Sequence, residues 1–337
     1  MTLRAADLLL AASRHPLARE VQAGLVESGV GGTERLLLGV SGGSDSMAML
    51  VLVAAVRARN DRTLDSIAVL ACDHGLRPEA AEECASVLGL CERLGVRHAS
   101  LARLEVDRRG NLLAAAREAR LAALWSSAAG FGARSVLLAH QADDVAEGLL
   151  LALARGGGLA SVDALVARRE FAEGVLCRPL LGVRRRALRD FLEELGVAWH
   201  DDPGNAMRAR GELRTEPAVA ALVERIAGGC GDLVREASGL LVVRDALARE
   251  IAPEGARSVA RAAFDAAPPS VRAALIVRLA AEAGGSLARS AVEDAVRSAG
   301  ESDRRPRVYA GRGGALRVDA RTVEWIRTDA ADRVTGD

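Results

Sequence analysis

Leu36-Leu37-Leu38-Gly39-Val40 runs directly into Ser41-Gly42-Gly43-Ser44-Asp45-Ser46, and the apolar stretch Met47–Arg57 follows. A short apolar run passing through two glycines into a helix start predicts a strand, a tight loop and a helix N-terminus. That combination makes a backbone anion nest. Glycine lets the main chain approach an anion closely, and the hydroxyls of Ser41 and Ser46 and the free amides can donate to it. The helix dipole adds favourable potential. An acid at position 45 is unfavourable beside an anion unless a cation lies between them, which points to a Mg²⁺-linked role for Asp45. A plain glycine turn capped by serine is the simpler alternative for this stretch taken alone.

Outward from this loop, short apolar runs alternate with stretches of helical period. Strands are predicted at Leu36–Val40, Ile67–Cys72, His98–Leu101, Ser135–Ala139 and Val175–Arg178. Helices are predicted at Met47–Arg57, Ala80–Leu94 and Leu112–Ala128. Repeated strand–helix–strand units imply an α/β fold with a mostly parallel sheet covered on both faces. Ligands bind such sheets beyond the carboxyl ends of the strands. Farther on, Gly229–Glu250 reads as a long helix, broken by Pro253 and Gly255. A helical pair, Val271–Glu282 and Arg289–Ala299, precedes a strand-rich tail at Val308–Ala310, Ala315–Val318 and Val323–Ile326. We place a boundary at Gly228–Gly229, giving a catalytic domain over 1–228 and a smaller, mainly helical domain over 229–337.

Composition narrows the chemistry. All 45 basic residues of the 337 are arginine. No mechanism can therefore use a protein lysine, whether as the phosphate-binding lysine of a Walker A loop or as a Schiff base. The cysteines Cys72, Cys84, Cys91, Cys177 and Cys230 form no C-x-x-C pair. They suggest neither a disulfide ladder nor a zinc or iron–sulfur site, and a reducing cytoplasm is expected. The apolar run at Leu8–Ala12 is too short for a signal peptide or membrane anchor. With a formal net charge of zero, any nucleic-acid partner requires a local basic face.

Further motifs stand after the other strands. Asp73-His74-Gly75-Leu76-Arg77-Pro78 follows the second, and Asn111–Arg120 opens an amphipathic helix carrying Arg117 and Arg120. Off the fourth strand comes Ala139-His140-Gln141-Ala142-Asp143-Asp144-Val145-Ala146-Glu147. His140, Asp143, Asp144 and Glu147 have the spacing to share one helical face. Opposite a phosphate loop, this acidic cluster suits Mg²⁺ or a cationic amine; the plainer reading is acids complementing a helix dipole.

Taken together, these motifs resemble the tRNA(Ile)-lysidine synthetase family of PP-loop enzymes. The S-G-G-x-D-S loop, the H-G-L-R stretch, the A-A-R helix and A-H-x-x-D-D-x-x-E occur in order. Arg155-Gly156-Gly157-Gly158, Arg178-Pro179-Leu180-Leu181 and Trp199-His200-Asp201-Asp202-Pro203-Gly204-Asn205 continue the match. The resemblance covers residues 35–225. It implies an adenine nucleotide alpha hydrolase-like PP-loop fold and ATP-dependent ligation of free L-lysine to the wobble cytidine C34 of tRNA(Ile) with a CAU anticodon. The cytidine is first adenylated, and lysine then displaces AMP. By the same resemblance Ser41, Gly42, Gly43, Ser44, Asp45, Ser46 and His74 bind ATP. Asp45, Arg117, His140, Asp143, Asp144 and Glu147 serve catalysis, and Asp45 and Asp144 hold Mg²⁺. Homodimer formation is also implied.

The chain departs from the family pattern at Val145 and Gly148, where Gln and Thr are common, and at Glu212, inside an otherwise basic run. Arg178, Arg184, Arg185, Arg186 and Arg189 are the expected basic face for tRNA, extended by Arg155, Arg208, Arg210 and Arg214. The alternatives are a PP-loop tRNA thiolation enzyme, for which Cys177 is the lone candidate thiol, and a non-catalytic tRNA-binding relative.

Overall fold

The computed structural model describes residues 4–59, 64–73, 80–104, 112–154, 166–201, 216–298 and 305–327. The chain forms two compact units, Met1–Ser238 and Gly239–Asp337. The division falls within the helix Cys230–Ile251, which starts immediately after Gly228–Gly229.

The first unit is built on a six-stranded sheet of order β3-β2-β1-β4-β6-β5. Its strands are β1 (Leu36–Val40), β2 (Ile67–Asp73), β3 (His98–Arg103), β4 (Ser135–Leu138), β5 (Arg168–Phe171) and β6 (Gly174–Cys177). β1 lies at the centre and pairs in parallel with β2 and β4, Leu36 standing opposite both Ile67 and Ser135. Its uninterrupted apolar sequence is what a strand covered on both faces requires. β5 runs antiparallel to β6 and forms the sheet edge.

The unit's helices are α1 (Ala5–Arg14), α2 (Pro16–Glu27), α3 (Ser44–Arg59), α4 (Ala80–Leu94), α5 (Leu112–Phe131), α6 (Ala142–Ala154) and α7 (Arg185–Glu194), followed by Pro217–Ala227. Alternate residues of β1 face different layers. Leu36, Leu38 and Val40 join a core with α3 and α4, while Leu37 joins Leu124, Trp125 and Ala128 of α5. α3 is apolar almost all round, and it is buried because α1, α2 and α7 pack onto it. At Gly39 a Cβ would lie 3.0 Å from Leu138 and 3.1 Å from Leu124, so glycine admits close approach there.

This topology fixes the site. The chain builds β1, β2 and β3 outward to one side, then crosses to lay β4 on the other side of β1. The ends of β1 and β4 therefore flank the point where the strand order reverses, where a crevice opens. The loops leaving these two strands carry Ser41–Gly43 and Ala139–Gln141.

The second unit packs the helices Arg261–Ala266, Pro269–Glu282 and Arg289–Arg297 against a four-stranded antiparallel sheet. That sheet consists of β7 (Ser258–Ala260), β8 (Arg307–Gly311), β9 (Gly314–Val318) and β10 (Thr322–Ile326), in the order β7-β10-β9-β8. Phe264, Leu275, Ile276, Leu279, Leu316, Val323 and Trp325 form its core. Among the described residues, no helix is long and apolar enough to cross a membrane.

Candidate active site

The loop after β1 is held by its own side chains. Ser46 accepts the Ser41 backbone N–H at 3.1 Å and donates to the Gly43 carbonyl at 3.0 Å, and the Ser41 hydroxyl lies 3.3 Å from that of Ser46. Ser46 is buried and serves as an internal staple, whereas Ser41 is exposed. Gly42 has φ +82°, and a Cβ there would stand 3.2 Å from the Glu83 Cβ of α4. Glycine is therefore required for both conformation and room. At Gly43 a Cβ would meet nothing closer than 3.8 Å, so its backbone is open to an approaching anion. The His200 N–H donates to the Gly42 carbonyl at 3.0 Å, and its ring Nε2 lies 2.8 Å from the Ser86 hydroxyl of α4. The chain after α7 thus buttresses the loop, a role the sequence did not point to.

The acids beyond β4 divide into two sets. α6 begins at Ala142, so His140 precedes the helix and does not share its face, contrary to the spacing argument. Successive helical residues are turned by ~100°, which separates Asp143 from Asp144. Asp143 faces the start of α7. It accepts Arg184 Nε and Nη2, each at 3.3 Å, and the backbone N–H of Arg185 at 2.9 Å. Asp144 and Glu147 instead face the side chain of Arg185.

Arg185 gives a different nitrogen to each of three carboxylates. Nη2 lies 3.2 Å from Asp144, Nη1 3.2 Å from Glu147, and Nε 3.6 Å from Asp45 of α3. The Glu147 side chain has 0% exposure. Burial pushes the Asp45 pKa up. Arg185 opposes that rise, Asp144 reinforces it, and the Gln141 amide and Ser44 hydroxyl pull it back. Gln141 is fully buried, and its Oε1 accepts the Asp143 N–H at 2.5 Å. Its Nε2 makes no well-formed hydrogen bond among the described residues. For Arg185, burial alone lowers the pKa, and the surrounding carboxylates, Asp144 foremost, override it and raise the value.

The expected basic face is not a single surface. Arg178 has 2% exposure; it donates from Nη1 to the Val166 carbonyl at 2.8 Å and from Nε to His140 Nδ1 at 3.3 Å. Burial, reinforced by Arg169 and Arg117, lowers its pKa to about 10. Arg185 turns into the acids and Arg184 onto Asp143. Arg189 pairs with Asp201 at 2.6 Å and reaches the Ser44 hydroxyl at 3.5 Å. Only Arg186 of this group projects fully, with 83% side-chain exposure. The physical reason is placement: Arg178 follows β6 into the interior, Arg184 precedes α7, and α7 carries Arg185, Arg186 and Arg189 around its axis. Arg117 is exposed on α5. His74, Arg155, Arg208, Arg210 and Arg214 lie outside the described residues.

Among the described residues, no group of three or more His, Cys, Asp or Glu side chains is arranged to hold a metal ion. None of the five cysteines takes part in a disulfide. Cys177 is fully buried, its thiol 3.7 Å from the Ser28 carbonyl, and burial pushes its pKa to about 11.

A family model described as a PP-loop domain matches residues 14–216. A tRNA(Ile)-lysidine synthase from Bradyrhizobium diazoefficiens is 37% identical over 265 residues, covering 72% of this chain and 71% of that one. The chain belongs to the tRNA(Ile)-lysidine synthase family of PP-loop proteins. Another family member, from Nocardia farcinica, is 39% identical over 250 residues and is covered to 73%. The match to the Ruegeria pomeroyi member is 41% identical and takes in 56% of this chain but 44% of that one. ATP use comes with the PP-loop assignment. In fold, the chain is similar to the U34-tRNA thiolase NcsA from Methanococcus maripaludis, solved with its [4Fe-4S] cluster. The TM-score is 0.55 at 17% identity, over 69% of this chain and 80% of that one. Within the lysidine synthase frame, Val145 is accounted for. It is fully buried and packs with Ala142, Ala146, Leu181 and Val223, so an apolar residue suits the place.

Proposed function

We propose that this chain adenylates the wobble cytidine C34 of a CAU-anticodon tRNA(Ile) with ATP and joins free L-lysine to it, forming lysidine in the cytoplasm. The observation that carries the reading is the position of a phosphate loop and a carboxylate cluster on the facing ends of β1 and β4. In the first step the cytidine O2 attacks the α-phosphorus and pyrophosphate leaves. In the second, the lysine amine attacks C2, the C–O bond to AMP breaks, and the amine gives up a proton.

The chain's residues have distinct tasks in this scheme. The Gly42–Gly43 backbone and the Ser41 hydroxyl receive the pyrophosphate end of ATP. Asp45 and Asp144, close to the loop and to each other, fit a cation that also binds phosphate, and they would hold Mg²⁺. When bound, Mg²⁺ neutralises phosphate charge. In the second step, after pyrophosphate has left, Asp144 and Glu147 receive the lysine ammonium, and the exposed Arg117 contacts the adenylate. Because Arg178 donates to His140 Nδ1, the neutral ring carries its hydrogen on Nε2 and offers a fixed donor. Arg186, with Arg155, Arg210 and Arg214, contacts tRNA phosphates. Catalysis rests on positioning and electrostatics, with no protein nucleophile.

The test incubates the purified chain with ATP, Mg²⁺, labelled lysine and an isoleucine tRNA transcript bearing CAU. Lysine incorporation that depends on ATP and on C34 is the expected result. AMP release without lysine transfer would replace lysine with another acceptor, and silence from a folded chain would point to a non-catalytic tRNA-binding relative.

A further inference from the structure

The carboxylates of Asp45, Asp144 and Glu147 come from α3 and α6, yet they converge on one guanidinium that arrives from α7. Three ionised carboxylates gathered in a largely buried place are stabilised by a cation among them. In the ligand-free chain Arg185 supplies it. The backbone of Arg185 is separately fastened, since its N–H is held by Asp143 at 2.9 Å and the adjoining Arg184 side chain embraces the same acid. Its long side chain can therefore leave the carboxylates by bond rotation while α7 stays docked.

An alkylammonium ion entering the cluster would need the same oxygens. A primary ammonium donates three hydrogen bonds to carboxylates over distances like those of the guanidinium. Two cations sharing these oxygens would stand a few ångströms apart and repel each other in a poorly solvated place. Entry of the amine and retention of the guanidinium are therefore mutually exclusive.

We propose that Arg185 is the resident cation of this cluster and sets the affinity for the amine substrate, which must displace it. The inference rests on the reading above that a lysine ammonium is bound by Asp144 and Glu147. A resident occupant weakens its competitor in proportion to the fraction of molecules left open, so an occupant seated about 90% of the time weakens binding about tenfold. The penalty is common to every amine, so the occupant sets the concentration at which the site fills, and the choice among amines falls to the other contacts each one makes.

The experiment measures equilibrium binding of labelled lysine to the ligand-free chain by dialysis, without Mg²⁺ or nucleotide, so that no other cation competes for Asp45 and Asp144. It compares the wild-type chain with Arg185→Gln, and each preparation is checked for folding by thermal melting. Arg185→Met, which keeps the aliphatic stem in place, serves if the Gln variant does not fold. The expected result is that lysine and methylamine both bind more tightly to the variant, by the same factor of about ten. Equal or weaker lysine binding in the folded variant would overturn the inference and make Arg185 a permanent brace for the acids. Wild-type incorporation of lysine into tRNA, assayed in parallel, separates the two levels. If it is absent, the ligation reading itself fails and the inference falls with it; if it is present, the binding comparison alone decides.

Discussion

Asp143 of α6 accepts the backbone N–H of Arg185 at 2.9 Å, so a carboxylate from one helix caps the first turn of another. α7 has no capping side chain of its own, because the residue before it is Arg184. A helix start without a local cap leaves amide donors that something else must satisfy. Asp143→Ala is expected to lower stability by about 1–3 kcal/mol, combining a lost cap with a lost paired arginine. Asp143→Asn should recover part of that loss. Urea unfolding measures it, and wild-type stability in the alanine variant would show that α7 is held by other means.

Asp45 should trade stability for activity. Burial raises its pKa from 3.8. A raised carboxyl pKa stabilises the fold below the unfolded value, and that contribution is lost as pH rises through the folded value. At neutral pH the ionised group is therefore a liability, which Asp45→Asn removes. We expect the variant to melt a few degrees higher at pH 7.5, with the gap closing toward pH 4, and to release no AMP. A lower melting temperature at pH 7.5 would mean that the Arg185 pair outweighs burial.

Gly42→Ala strains the backbone and crowds Glu83 at once. A Cβ at φ +82° costs on the order of 1–2 kcal/mol before the neighbouring contact is counted. The loop amides would be displaced, and ATP affinity should fall by tenfold or about that. Unchanged nucleotide binding, read by calorimetry, would remove the Gly42 backbone from the phosphate cradle.

Cys177 separates ligation from sulfur chemistry. Its thiol is buried with a pKa near the upper end of the cysteine range, about 11, so little thiolate forms at neutral pH. Cys177→Ala should lose about 1 kcal/mol of stability through a small cavity and retain lysine incorporation. Loss of turnover in a folded variant would reopen a thiol-dependent mechanism.

The phosphate loop and its flanking strand and helix were legible because three signals coincide there: an apolar run, paired glycines and a helical period. β5 was not legible. Its Arg168-Arg169-Glu170 sequence is charged because the strand lies at the sheet edge, where exposed polar side chains are normal. β7 is three residues long and carries no alternation to read. In the site, the acidic cluster was visible as spacing, but its division between Arg184 and Arg185 was not. That division depends on where α6 begins and on the docking of α7. Arginine in a basic run signals a solvated or nucleic-acid-facing surface, and nothing in Arg184-Arg185-Arg186 tells which side chain turns inward. Gln141 was equally silent, since a buried amide between strand and helix leaves no pattern.

The choice of arginine at position 185 bears on what the site must avoid. A cytidine activated by AMP is an electrophile, and a tethered primary amine beside it would be captured in a single suicidal turnover. A guanidinium stays protonated and does not attack such centres at physiological pH. With no lysine anywhere in the 337 residues, the chain offers no side-chain amine that could intercept the intermediate. Amine chemistry at this centre is left to whatever arrives from solution.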